Sequence, residues 1–237
     1  MQVHATGELS SAIIIDTDAI SRLWNHANDF TSNTSATVSC ADGIERKFAN
    51  LGDLLVYENA ARSAAQTVEI YGRCDTPARS ITITIGREYG ARASLSIRGE
   101  EHEVTSARTK IMDSFSGMRA WYSAIATVDL WFIWMVTFTG LFLVLQLMEP
   151  SKAPDHPGRS FSEAIQALGY VLRYITPIFV AIYCVSRLRK RFFPMVSMAF
   201  GQGTKRHHTD EQVRWSVIVS FVVGIAGSAA YAAMSGT

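Results

Sequence analysis

Asp16 and Asp18 stand two residues apart, directly after the apolar run Ser11–Ile15. Paired carboxylates behind a strand suit aspartate-based phosphoryl chemistry. The same residues suit a helix start, where an Asp side chain accepts a free backbone N–H, and the cap is the expected role. Arg73, Arg79, Arg87, Arg92 and Arg98 recur on or between three strand-like segments. Gathered on one sheet face they would hold an anionic ligand such as a nucleotide or a phospholipid headgroup. In a net acidic domain, solvated strand ends and edges are the expected placement. Asp53 and Glu58-Asn59 lie by a short helical segment and read as solvated polar residues. His207-His208 alone are too few for a metal site. Cys40, Cys74 and Cys184 form no CxxC pair and read as free thiols of a reducing compartment. There is no phosphate-binding glycine loop, nucleophile elbow or HExxH pair. No catalytic residue, metal ligand or cofactor is therefore expected, the ligand-binding residues stay unassigned, and the chain is not expected to be an enzyme.

The elements that must position these residues divide near residue 120. Residues 1–120 carry 12 basic and 15 acidic side chains, whereas residues 121–237 carry 10 and 6. The acidic balance of the first part argues against a nucleic-acid partner. Residues 1–120 read as a cytosolic α+β sensor or interaction domain. Alternation puts Val68 with Ile70, Ile81 with Ile83 and Ile85, and Leu95 with Ile97, predicting antiparallel strands with one face on helices. Ala41-Asp42-Gly43 predicts a hairpin turn, and Thr76-Pro77 and Tyr89-Gly90 predict two more. One helix is expected from Asp16 to about Asp29. Another, Glu100–Met118, has the stripe Val104, Ala107, Ile111, Phe115 and Met118 and is expected to run almost unbroken into the membrane.

Residues 121–237 read as an all-α region with three membrane spans at about 126–148, 164–186 and 214–234. Leu130–Met148 and Trp215–Met234 are uncharged runs of 19 and 20 residues, close to the ~20 residues a bilayer requires. The polar groups assigned to the membrane are Asp129, Gln146 and Arg173. Arg173 is expected to snorkel toward the nearer interface, with Gln146 placed to partner it. The loop 187–213 is basic and amphipathic. Arg187, Arg189, Lys190, Arg191, Phe192, Phe193, Lys205 and Arg206 are assigned to the membrane surface, with Phe192–Gly203 either an interfacial helix or a helix packed on the rest of the protein. Its basic excess places it in the cytoplasm, together with the N-terminal domain, and the C-terminus outside; a bacterial inner membrane is the expected location. Ser216, Ser220, Gly224, Gly227 and Ser228 form a small-residue face that predicts close helix packing and a homo-oligomer. These features point to a receptor or effector whose domain binds a cytosolic protein or small anionic ligand and controls the membrane region, in its sharpest form a pore. The alternative is a non-catalytic anchor that recruits a partner.

Overall fold

Alternation of apolar and polar residues builds a six-stranded antiparallel sheet in the order β1-β7-β6-β5-β3-β4. Its strands are β1 Gln2–Leu9, β3 Thr34–Cys40, β4 Glu45–Phe48, β5 Ala65–Cys74, β6 Arg79–Ile85 and β7 Ala93–Glu100. The structure is a computed structural model and describes residues 1–75, 78–86, 91–148, 176 and 179–235. Ile70, Ile81, Ile83, Ile85, Leu95 and Ile97 are buried on one face, where full burial of each is worth roughly 1.5–3 kcal/mol. Two helices cover that face: α1 (Thr17–Thr31) and α3 (Glu101–Gly117). Asp16 caps α1, its side chain accepting the Ala19 N–H at 2.7 Å, so the carboxylate has the structural role. The Asp42-Gly43 turn joins β3 to β4, with Gly43 at φ 75°. A short helix, α2 (Leu51–Val56), is capped by Asn50. The expected turns at Thr76-Pro77 and Tyr89-Gly90 lie outside the described residues.

The structure adds β1, to which the sequence reading assigns no element. Its core-facing residues, Val3, Ala5, Gly7 and Leu9, form a weak apolar signal. Gly7 lets α3 approach closely: a Cβ there would sit 2.6 Å from Met112 Sδ, and that flexible side chain would have to shift.

Three expectations about the second part are corrected. First, Phe192–Gly203 contains no helix across its length. Residues 196–199 form β8 (Val196–Ala199), which pairs in parallel with β2 (Ile13–Asp16) in a second, two-stranded sheet. Apolar residues gain more by filling the free edge of β2, where backbone groups are also paired, than by lying at an interface. Second, 187–213 is not a loop. Residues 179–192, here α6, are helical, and α7 (Gly203–Ser235) starts only four residues after β8. Arg187, Arg189, Lys190 and Arg191 therefore stand at the C-terminal end of a helix, where its dipole favours cations. Phe192 ends that helix, and Lys205 and Arg206 lie in the first turn of α7.

Third, α3 does not run into the first span. It stops at Gly117, and Met118 O accepts from Ile14 N (2.9 Å) while Ala120 N donates to Ala12 O (2.8 Å). Backbone groups that a continuous helix would use internally are thus taken by β2. A short α4 (Ser123–Thr127) follows, then α5 (Leu130–Met148). Asp129 caps α5, accepting the Trp131 N–H at 3.0 Å, which places it before the helix and not within it.

Two compact units result. One comprises Met1–Thr127 and Phe192–Thr237; the other is Val128–Arg191. Within the second unit α5 meets α6 through aromatic rings, with the Trp134 and Phe179 centroids 4.7 Å apart. In the first unit α7 has 33 residues, about 50 Å at 1.5 Å per residue. It is long and apolar enough to cross a membrane. From Trp215 onward its large apolar side chains, Phe221 and Tyr231 among them, are exposed.

Candidate coupling site at the root of the C-terminal helix

β2 is the strand on which the two ends of the folded unit converge. On one side it carries residues 118–120; on the other it carries β8, with Ile14 opposite Ser197 and Ile15 opposite Met198. Its alternation sends Ile13 and Ile15 into the main core. Ile14 turns instead to a small second cluster of Ala12, Ala120, Tyr122 and Ala126, with Phe193 and Met195 packed against it.

Asn59 fastens β8 to the rest of the domain. It is fully buried and left-handed at φ 49°, a conformation that Asn tolerates better than most residues. Its Nδ2 donates to Met198 O (3.2 Å) and Phe200 O (3.0 Å), and its Oδ1 accepts from Ala65 N (2.9 Å). Its own carbonyl accepts from Arg206 Nη2 on α7 at 2.9 Å. Beside it, Gln202 N donates to Glu58 O at 2.6 Å. Gly201 and Gly203 let these backbones approach: a Cβ at Gly201 would run into Glu58 O (2.6 Å), and one at Gly203 into Asn59 Nδ2 (2.6 Å). Phe200 is buried against Tyr57, ring centroids 6.5 Å apart. Asn59 is therefore not the solvated residue that the sequence reading expects. The one sequence signal for it is an Asn preceding a small-residue turn, which is too common to single it out.

One turn into α7, His207 Nδ1 lies 3.0 Å from Ser197 Oγ on β8, and its Nε2 lies 3.5 Å from Glu211. Burial lowers the His207 pKa below its usual 6.5; Glu211 opposes this shift and Arg214 adds to it. The folded state thus takes up a proton at His207 less readily than the unfolded chain, which does so below pH 6.5. Its contribution to stability is present above that pH and is lost as the pH falls through the folded value. His26, also lowered chiefly by burial, acts with the same sign. The thermal midpoint of the full chain is expected to fall from about pH 7.5 to about pH 5, and His207→Gln is expected to flatten part of that slope. An unchanged slope in His207→Gln would remove the residue from the coupling site.

Two turns further, Arg214 is 1% exposed. Its Nε donates to Phe192 O, and its guanidinium lies 4.5 Å from the centroid of the Tyr122 ring. Nη1, Nη2 and the Tyr122 hydroxyl are buried without hydrogen-bond partners. Burial raises the Tyr122 pKa, and Arg214 opposes the shift. Trp121 stacks on Trp215 at 5.4 Å and 21°, and Phe193 meets Tyr122 edge-on at 5.7 Å. The sequence-assigned surface residue Phe193 is thus half-buried in protein contacts.

Of the small-residue face, Ser216, Ser220 and Ser228 donate to the carbonyls of Gln212, Ser216 and Gly224. Among the described residues, nothing lies within 4 Å of a Cβ built at Gly224 or Gly227. The face lies beyond the coupling site. Arg173 lies outside the described residues, and Gln146 falls in the C-terminal part of α5.

The arginines read as a group divide between two faces, with Arg73 and Arg98 flanking Ser80 in one register row on the open sheet face. Arg73 pairs with exposed Asp75 at 2.9 Å. Arg98, opposite His4 and Ser80, is on the open sheet face. Arg79 turns to the helices and bonds Glu103 at 2.6 Å. Arg87 lies outside the described residues. Comparison of the chain with protein-family models, curated proteins and solved structures finds no match.

Proposed function

We propose that the chain is a multi-pass integral membrane protein whose N-terminal domain senses a ligand or partner and controls an oligomeric membrane region through β8 and α7, without catalysis. The observation that carries this reading is that β8 is built into the domain and leads within four residues to α7. A shift of β2 or of Asn59 would reach α7 through paired backbone, with no flexible linker to absorb it. The apolar runs support the topology: α5, the span read in the sequence at 164–186, and α7 are the three crossings of this reading. The basic residues Arg187, Arg189, Lys190, Arg191, Lys205 and Arg206 are assigned to the cytoplasm by the positive-inside rule. α7 makes the third crossing and takes the C-terminus out. Trp121 and Trp215 sit where the apolar run begins, the level favoured by interfacial aromatics. The small-residue face at Gly224 and Gly227 is the surface for association with further copies. Because its serines donate to their own helix, it suits close packing better than a water-lined pore.

A cross-link across β2 and β8 tests the coupling. Ile14 and Ser197 are register partners, and neighbouring strands lie ~4.8 Å apart, within the ~4.4–6.8 Å that a disulfide spans. With Cys40, Cys74 and Cys184 replaced by alanine, Ile14→Cys/Ser197→Cys is expected to lock the root of α7. In proteoliposomes holding an imposed potassium diffusion potential, release of Asn59 by mutation should depolarise the membrane, and the oxidised lock should prevent it. Equal membrane potentials in the released, locked and unmodified proteins would favour a passive anchor and overturn the proposal.

A further inference from the structure

α1 and α3 pack side by side on the sheet, and a half-open cleft of about 200 Å³ lies between the C-terminal half of α1 and the N-terminal half of α3. On its lining, Arg79 lies over the Phe30 ring at 5.8 Å and binds Glu103 Oε1 through Nη2. The pair is incomplete. Arg79 Nε and Glu103 Oε2 are both buried and have no hydrogen-bond partner, a condition rare in folded proteins. Both atoms lie just beneath the cleft surface, so the pair has to open toward the cleft to use them; once open, its donor and acceptor complement a group with an acceptor and a donor side by side, as in an amide or a nucleobase edge.

The same cleft carries a cation. Lys110 forms no ion pair among the described residues, and it lies close enough to His26 to disfavour protonation of that ring. With Ser106 and His102 on the α3 side, it provides donors for a phosphate. A metal ion is a poorer occupant: no group of three His, Cys, Asp or Glu among the described residues is placed to hold one. Size and charge narrow the class further. The volume falls below the ~300–1,000 Å³ of drug-sized pockets, and Asp29 and Glu103 also line the cleft, which disfavours a polyphosphate.

We propose that the cleft between α1 and α3 binds a nucleoside monophosphate, with its base edge completing the Arg79–Glu103 pair and its phosphate on Lys110. This rests on the reading of the domain as a sensor and gives that sensor a ligand class. Both helices lead to the coupling strand: α1 grows out of β2 at the Asp16 cap, and Met118, next to the end of α3, bonds Ile14 of β2. A ligand that draws the two helices together would therefore act on the strand that holds β8.

The test is calorimetric titration of the full chain in lipid nanodiscs with AMP, GMP, CMP and UMP, and separately with their nucleosides and inorganic phosphate. At least one monophosphate is expected to bind about tenfold or more tightly than either its nucleoside or phosphate. Lys110→Ala, at an exposed helix position, should bring its affinity down to that of the nucleoside. Glu103→Gln, which places an amide where the free acceptor stood, should change the ranking of bases. Absence of monophosphate binding at about 1 mM, equal binding of inorganic phosphate, or unchanged affinity in Lys110→Ala would overturn the proposal. Binding as expected, combined with a β2–β8 lock that leaves membrane potential unaffected, would refute the coupling and leave the site intact.

Discussion

Asn59→Ala is expected to lower the thermal midpoint of the full chain steeply and to expose residues 196–206 to hydrogen exchange. The substitution leaves the Ala65 N–H and the carbonyls of Met198 and Phe200 without their partner in a buried place. Each unsatisfied buried group costs about 1–3 kcal/mol. Ala at φ 49° adds about 1–2 kcal/mol of backbone strain. Partial relief by water entering the gap brings the expected loss to roughly 3–5 kcal/mol, large against the ~5–15 kcal/mol of an ordinary domain. Asn59→Gly separates the two contributions, since it relieves the strain but not the lost hydrogen bonds, and should recover only the smaller part. The protection pattern distinguishes this role from general core damage. Loss should concentrate in Ala65, β8 and the first turns of α7, while β6, β7 and the rest of β5 keep their exchange rates. Uniform deprotection of the six-stranded sheet would mean that Asn59 supports the whole fold and is no specific clasp.

Arg214→Met should act in the opposite direction and raise the midpoint. Arg214 places a permanent charge in a protein contact where it has one hydrogen bond, to Phe192 O, and the face of Tyr122. Two guanidinium nitrogens remain unpaired. A cation–π contact contributes roughly 0.5–2 kcal/mol, less than the several kcal/mol by which burial of a charge is penalised. Methionine preserves length and flexibility and fills the space beside Tyr122 and Phe193 without that penalty. A gain of about 1–4 kcal/mol is expected, by analogy with other buried ionic groups replaced by apolar ones. The Trp121–Trp215 stack gives a local readout: coupled indole circular dichroism should persist to higher temperature in Arg214→Met. If the root of α7 is meant to release, a variant that binds it more firmly should also resist the depolarisation expected of Asn59→Ala. A lower midpoint in Arg214→Met would show that the contacts of the guanidinium outweigh its burial.

Seen together, these two residues describe a junction held by a buried amide on one side and weakened by a buried cation on the other. Neither is distinguished in the linear chain. Asn59 follows a glutamate in a polar stretch, and Arg214 reads as the charge that bounds an apolar run.

What the sequence determines by itself is the local and periodic part of the protein. The alternation of Ile81, Ile83 and Ile85 requires a strand with one buried face, because successive side chains of a strand point to opposite sides. Asp16 announces a helix start and Asp42-Gly43 a turn, since both depend on backbone groups only a few residues away. The charge-free runs at 130–148 and 215–234 are legible because length and composition suffice to define an apolar helix. The tertiary structure decides what depends on partners distant in the chain. Val196–Ala199 has no periodicity strong enough to choose a state; it becomes a strand because β2, about 180 residues earlier, offers an unfilled edge. Residues 118–120 leave the helical path for the same reason, their backbone groups being claimed by Ala12 and Ile14. β1, with Gly7 near its C-terminal end, forms only because β7 pairs along its length and Met112 closes over it. A short segment gains too little from its own hydrogen bonds to fix its conformation, so the edge or cavity it can complete makes the choice.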